Sequence, residues 1–399
     1  TYYVNAANTF YRFRADVKGN GKALTCGGLS YTEEDLRIEP KAALVLWYSC
    51  LQTSYLPWIQ ASPVVLSSVK FKKDGYIYFD TPETFVNGNV VIVAIDKELG
   101  YDQIEADADK RITNAEVLWS WNIVFSEGYD PDAAENWIVK GGYTWMNRDL
   151  GALIDPEQAY IGGQLNNVAL ASTTGNCYQW GRKDPFVGAK ELGKDAPIGG
   201  ASETAAFGTQ TAAYEKNTID QTAYAFDVIG NDDNTITDCV AYAVQHPTTF
   251  IKYVVSVGNS GVSTWFNSDL SNFSDLWGAV SGRKSVYDPC PAGYKVPVDS
   301  AEAWGGFAKA DVTSSAGSFG VTLNEAFYPC SGWRDVSGML KQVGTYAKAA
   351  SATAPTNQAN ILQIMYYKAT AAATTYTTMF SNSGKSFIAG GIPVRCVKE

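Results

Sequence analysis

Histidine is nearly missing from this chain: His246 is the one imidazole in 399 residues. A single histidine excludes an HExxH zinc site and any His-rich metal centre. Its position before Pro247, at the exit of a short helix, reads as a cap or packing contact. CxxC pairs are also missing. The seven cysteines (Cys26, Cys50, Cys177, Cys239, Cys290, Cys330 and Cys396) are widely and irregularly spaced, which argues against zinc-ribbon and thioredoxin-type sites. Their odd number leaves at least one thiol free, and a chain this long builds its own core without a disulfide scaffold. No apolar run approaches the ~18–20 residues of a membrane helix. Basic runs stop at the dipeptides Arg182-Lys183 and Arg283-Lys284. With a formal net charge of -10, this argues against nucleic acid or an anionic membrane as partner. There is no GxSxG nucleophile elbow. The nearest phosphate-loop candidate, MFSNSGKS (379–386), has Met379 where the first glycine is needed, so its amides cannot wrap a phosphate. Thr1 opens directly into strand-like sequence, so any signal peptide or lipid anchor is expected either to have been removed or never to have been present.

What the chain has in abundance is aromatic and turn-forming residues: 24 Tyr, 17 Phe, 11 Trp, 36 Gly and 15 Pro. That mixture suits short strands joined by frequent turns, and the length suits two or three domains. TYYVNAANTFYRF, KAALVLWYS and NGNVVIVAID read as strands. VVLSSVKFKKDGYIYFDTP reads as a hairpin about Asp74-Gly75, since Asp-Gly accepts positive φ. In AEVLWSWNIVF, a period of two puts Val117, Trp119, Trp121, Ile123 and Phe125 on one face. These elements predict an all-β sandwich over residues 1–130, closed by the acidic, proline-broken stretch SEGYDPDAAEN (126–136). Residues 137–399 read as a mixed α+β domain, and the whole as β-rich. Within it, 187–223 and 345–360 are expected to be long loops. TITDCVAYAVQHPTTFI predicts a helix started by Thr237 or Asp238 and stopped near Pro247. Asp299, with Glu302 three residues on, is an N-cap signature.

Candidate sites are few. The acidic loop DVIGNDDNTITD offers Asp232, Asp233, Asn234 and Asp238 as hard oxygen donors for calcium, without the spacing of an EF-hand; a solvated acidic turn is the plainer reading. Trp265, Phe266 and Trp277, with Asn267 and Asp269 beside them, offer a sugar-stacking surface, against the plainer reading of core packing. The stretch SVYDPCPAGYKVP (285–297) fixes its backbone with Pro289, Pro291 and Pro297 and centres on Cys290. No histidine or basic cluster lies beside Cys290 to lower its pKa, which favours a rigid clamp over a reactive thiol.

VLWSWNIVF, YTWMNRDLGA, NCYQWGRKDPF, HPTTFI, SVYDPCPAGYKVP and the ending GIPVRCVKE resemble, in that order, Bacteroidetes fimbrillin-like surface proteins. In that family a β-sandwich precedes a FISUMP, or major-paralogous, domain similar in fold to C-type lectins. The calcium tripeptides EPN and QPD of sugar-binding C-type lectins are absent, and WFNSD (265–269) is only loosely similar to their Trp-Asn-Asp motif. No resident cofactor is therefore implied, with calcium as the one candidate. A related fold supports formylglycine-generating oxidases, which use two neighbouring cysteines near the C-terminus. Cys330 and Cys396 are too far apart in sequence for that, so the expectation is a non-enzymatic protein.

The resemblance implies an exported cell-surface adhesion protein, outer-membrane-anchored or fimbrial on the extracellular side. Its partners would be other pilin subunits, joined by β-strand addition, and a host or bacterial surface protein or glycan. The last strand, Val394–Val397, leaves only Lys398 and Glu399 beyond it. This suggests a subunit that accepts a strand without donating one, hence a tip or accessory position. The alternative is a glycan-binding surface lipoprotein of a nutrient-uptake system. C-type-lectin-like folds bring their chain ends together, so the resemblance also implies that Cys290 and Cys396 meet and staple the C-terminus.

Overall fold

The computed structural model describes residues 1–26, 29–50, 66–98, 116–161, 164–165, 167–189, 204–205, 226–229, 235–253, 264–266, 275–314, 319–336, 338–367 and 377–399. Among them are 28 strands in several small sheets, with few and short helices, so the protein is β-rich.

The first nine strands are β1 (Tyr2–Val4), β2 (Phe10–Arg14), β3 (Leu24–Cys26), β4 (Leu29–Tyr31), β5 (Ala42–Cys50), β6 (Ser67–Phe71), β7 (Tyr76–Asp80), β8 (Gly88–Ile95) and β9 (Val117–Phe125). Two sheets, ordered β1-β9-β8-β5 and β2-β7-β6, pack face to face. Alternation along each strand sends Phe13, Ile77 and Phe79 inward to meet Ile92, Trp121, Ile123 and Phe125. Ring contacts at 5.2 Å (Phe13–Trp121) and 6.0 Å (Phe79–Phe125) close the layer. The β6–β7 hairpin turns where Asp74-Gly75 predicts it, with Gly75 at φ 86°.

One expectation about β9 needs correction. Trp119, Trp121, Ile123 and Phe125 do share a face, but the β8–β9 register slips between Ala94 and Ile95. That irregularity turns Val117 to the opposite side, among Leu44, Val93 and Ile95.

Strand β8 is buried along its whole length. Val90, Ile92 and Ala94 face the sandwich interior, whereas Val91, Val93 and Ile95 pack on Cys177, Phe186, Val187 and Phe250 from the second half of the chain. Burial on both faces marks a central layer. The hydrophobic core therefore runs across the stretch 126–136, joining Phe13 and Trp121 to Trp180, Trp277 and Tyr294.

In the second half, β10 (Trp137–Lys140) and β11 (Tyr143–Met146) form a hairpin through Gly141 and Gly142. Both glycines have positive φ (64° and 81°), as a tight two-residue turn requires. Short strands Tyr294–Lys295 and Val397–Lys398 complete this sheet. A separate antiparallel sheet orders Tyr346–Ala350, Gln358–Tyr367 and Thr377–Phe387.

The first of those three strands lies inside the loop expected at 345–360, so that expectation fails. YAKAA is weak in β-forming side chains, yet Ala347 and Ala349 are small enough to let the strand lie flat on the core beside Leu362 and Ile364. Of the loop expected at 187–223, residues 204–205 pair with Leu340–Lys341, and most of the rest lies outside the described residues. The helix runs Ile236–Gln245 and starts at Thr235, earlier than expected, because Thr235 and Asp238 form a reciprocal capping box.

Candidate functional site

The aromatic residues expected to stack on sugar are interior. Trp265, Phe266 and Trp277 are at most 1 % exposed. The Trp265 indole N–H donates to the Trp180 carbonyl at 2.6 Å, and that of Trp277 to the Tyr287 carbonyl at 3.1 Å. Each polar edge finds a backbone acceptor inside, so both large rings bury without leaving a donor unpaired. This corrects their assignment as a ligand surface. Asn267 and Asp269 lie outside the described residues, as do Asp232, Asp233 and Asn234. Asp238, the remaining calcium candidate, accepts from the Thr235 backbone (2.8 Å) and hydroxyl (2.6 Å). Those bonds hold its carboxyl below the usual carboxylate range, and its role in the described structure is to start a helix. Among the described residues, no three His, Cys, Asp or Glu side chains converge as a metal site. His246 stacks on Tyr242 at the helix exit, ring centroids 4.0 Å apart.

Cys290 and Cys396 are joined by a disulfide across a sequence separation of 106 residues. The stretch around Cys290 is pinned from within. Asp288 accepts from the Cys290 amide (2.8 Å) and the Val296 amide (2.9 Å), and Lys284 donates to it at 2.7 Å. Beside Cys396, the buried Arg395 donates to Asp149 at 2.8 Å and lies 3.7 Å from the Tyr328 ring centroid. Burial pushes the Asp149 carboxyl up against the pull of Arg395. The NRD segment is thus structural: Asp149 holds Arg395, and Arg148 reaches Asp155 at 2.6 Å. Cys177 and Cys330 are free and buried, and Cys239 is buried. Burial pushes the Cys177 thiol up to about 11, and it raises Cys330 too, so these thiols are poor nucleophiles at neutral pH.

Two surface features remain, and neither was read from the sequence. The first is the outer face of β2-β7-β6. Alternation that sends Phe13, Ile77 and Phe79 inward sends Phe10, Arg12, Tyr76 and Tyr78 outward, joined by Lys70 and Lys72 of the adjoining strand and its turn. Phe10 is 58 % exposed. Its ring lies 5.4 Å from that of Tyr78, and Tyr76 lies 6.4 Å beyond. The Lys72 ammonium sits 3.9 Å over Tyr78, and the Arg12 guanidinium 4.8 Å over Tyr76. The available signal was aromatic residues on both phases of the alternation in FYRFR and YIYFD, which a one-sided strand pattern does not need.

The second feature is the edge strand Thr377–Phe387. It pairs with Gln358–Tyr367 on one side, and no described strand pairs with the other. Along it, Met379 is 52 % and Phe387 44 % exposed. At eleven residues it is long for an edge that no described strand covers. No family model matches the chain, no curated protein matches its sequence, and no solved structure matches its fold.

Proposed function

We propose that this protein is a non-enzymatic, exported adhesion protein of the cell surface, a tip or accessory subunit of a fimbria joined to neighbouring pilins by β-strand addition. In this reading the paired sheets of the first half are the fimbrillin-like sandwich, and the second half is the FISUMP, C-type-lectin-like part. The observation that carries it is the open edge at Thr377–Phe387. A free strand edge offers a row of main-chain donors and acceptors to an extended segment of another chain. The Cys290–Cys396 bridge agrees with an oxidising compartment outside the cytoplasm.

The test is a pull-down of the full chain from the producing cell's outer membrane. A pilin is expected to co-purify with the wild type and to be lost on Met379→Pro, which puts a proline in the regularly paired, exposed part of the edge strand. Immunogold label at one end of the fibre is expected; label at regular intervals along the shaft would overturn the tip position. The cation–aromatic outer face favours a second reading, a glycan-binding surface lipoprotein serving nutrient uptake. Selective binding of a dietary polysaccharide, without pilin capture, would decide for it.

A further inference from the structure

We propose that the outer face of β2, β7 and β6 binds an anionic saccharide, a glycan carrying uronic-acid carboxylates or sulfate esters. This deepens the adhesion reading by naming the chemistry that the surface grips, and rests on that reading for its setting. It concerns a different part of the molecule from the strand edge, so the two fail separately.

Three observations favour this occupant. The first is charge. The chain has a formal net charge of -10, yet among the described residues Arg12, Lys70 and Lys72 have no ion-pair partner within 4 Å on this face, Arg12 donating only to the Tyr78 hydroxyl at 3.4 Å, while Arg14 is taken by Asp16 at 2.6 Å. Exposed charges act over about one Debye length, ~8 Å at physiological salt, so the local balance decides, and here Arg12, Lys70 and Lys72 face the two carboxylates Asp74 and Asp80. The second is geometry. Side chains two apart on a strand stand ~7 Å from each other and adjacent strands ~4.8 Å, so rings and cations alternate across the sheet. A pyranose has an apolar C–H face and an equatorial rim of oxygens. Its flat face covers the exposed Phe10 ring, and its carboxylate or sulfate meets the planar guanidinium of Arg12 or the ammonium of Lys72.

The third observation separates a saccharide from other anions. Asp74 accepts from the Tyr78 hydroxyl and Asp80 from Ser68, so carboxylates are interleaved with the cations. A lipid headgroup layer or a nucleic-acid backbone presents negative charge without compensating donors, and these carboxylates repel it. Sugar hydroxyls donate as well as accept, and can use both signs.

Isothermal titration of the purified full chain tests the proposal, with four probes: a galacturonate oligosaccharide, a chondroitin sulfate oligosaccharide, the neutral cellotetraose and phosphatidylglycerol vesicles. Binding of at least one anionic probe is expected, weakening as salt is raised, with cellotetraose silent. The carboxylated and sulfated probes distinguish the two sources of charge. Arg12→Gln and Lys72→Gln are each expected to weaken binding about tenfold, the loss of one charge-assisted contact. Phe10→Ala is expected to weaken it without changing the salt dependence, and Lys309→Gln to leave it unchanged. All four residues are exposed, so unchanged melting curves verify the fold. Failure of both anionic probes, equal binding of cellotetraose, no response to Arg12→Gln and Phe10→Ala, or preference for phosphatidylglycerol vesicles would each overturn the proposal.

Discussion

Trp265, Phe266 and Trp277 lie in the core with their indole N–H groups on backbone carbonyls, whereas Phe10, Tyr76 and Tyr78 form a cluster on the outer sheet face with cations among them. The two sets have the same chemistry, but the second reaches the surface through exposed Phe10 and half-buried Tyr76, with Tyr78 buried beside them. What separates them is the company supplied by neighbouring elements. A tryptophan buries when a carbonyl meets its N–H and other rings meet its faces. An aromatic residue stays outside when the opposite phase of its own strand already fills the core, as Phe13 does on the strand of Phe10.

Substitutions sharpen this contrast, beginning with the interior. Arg395→Met leaves the Asp149 carboxylate buried without its partner, and should cost about 3–5 kcal/mol in denaturant unfolding. Trp277→Ala empties a filled interior site and should also cost about 3–5 kcal/mol. Equal effects from Trp277→Ala and Phe10→Ala would break the comparison. Cys290→Ala with Cys396→Ala, or reduction, should lower stability by about 2–5 kcal/mol. An unchanged melting temperature under reductant would show that the clamp is redundant.

Lys348 supplies a pH test. Its ammonium lies 3.2 Å from the Trp333 ring centroid, and burial lowers its pKa from 10.5 to about 7. Between those two values the unfolded chain binds a proton that the folded chain does not, so this group makes stability rise with pH across that window. Its contribution is complete above 10.5 and lost as pH falls through about 7. Lys348→Met should flatten that rise and stabilise the protein below neutrality, which denaturant midpoints measured across pH will check. The smallest effect is expected outside: Phe10→Ala should change stability by no more than ~0.5 kcal/mol while weakening saccharide binding.

Much of the first half was legible from residues alone. Aromatic-rich runs located β2 and β7, alternation located most of β9, and Asp74-Gly75 located a turn, because composition, period and turn chemistry are local properties. The double burial of β8 was not legible. NGNVVIVAID shows a continuous apolar run, and nothing local tells which partner covers the second face. YAKAA was missed because alanine carries little strand preference, and its place was decided by the shallow surface beneath it. The aromatic ligand surface was sought among Trp265, Phe266 and Trp277, whose acceptors come from residues remote in sequence. The outer face was overlooked because Arg12, Tyr78 and Lys72 come together only once the hairpin has docked beside β2.

The Cys290–Cys396 bridge also has a mechanical meaning. In the adhesion role proposed above, the protein would work under tension along its chain. A covalent link spanning 106 residues removes that segment from the length a pull can draw out. At ~3.3–3.6 Å per extended residue, roughly 350–380 Å of chain stays unextended while the link is intact. A stretched molecule would therefore yield at its remaining strands and stop, and reductant would release the withheld length as one additional step.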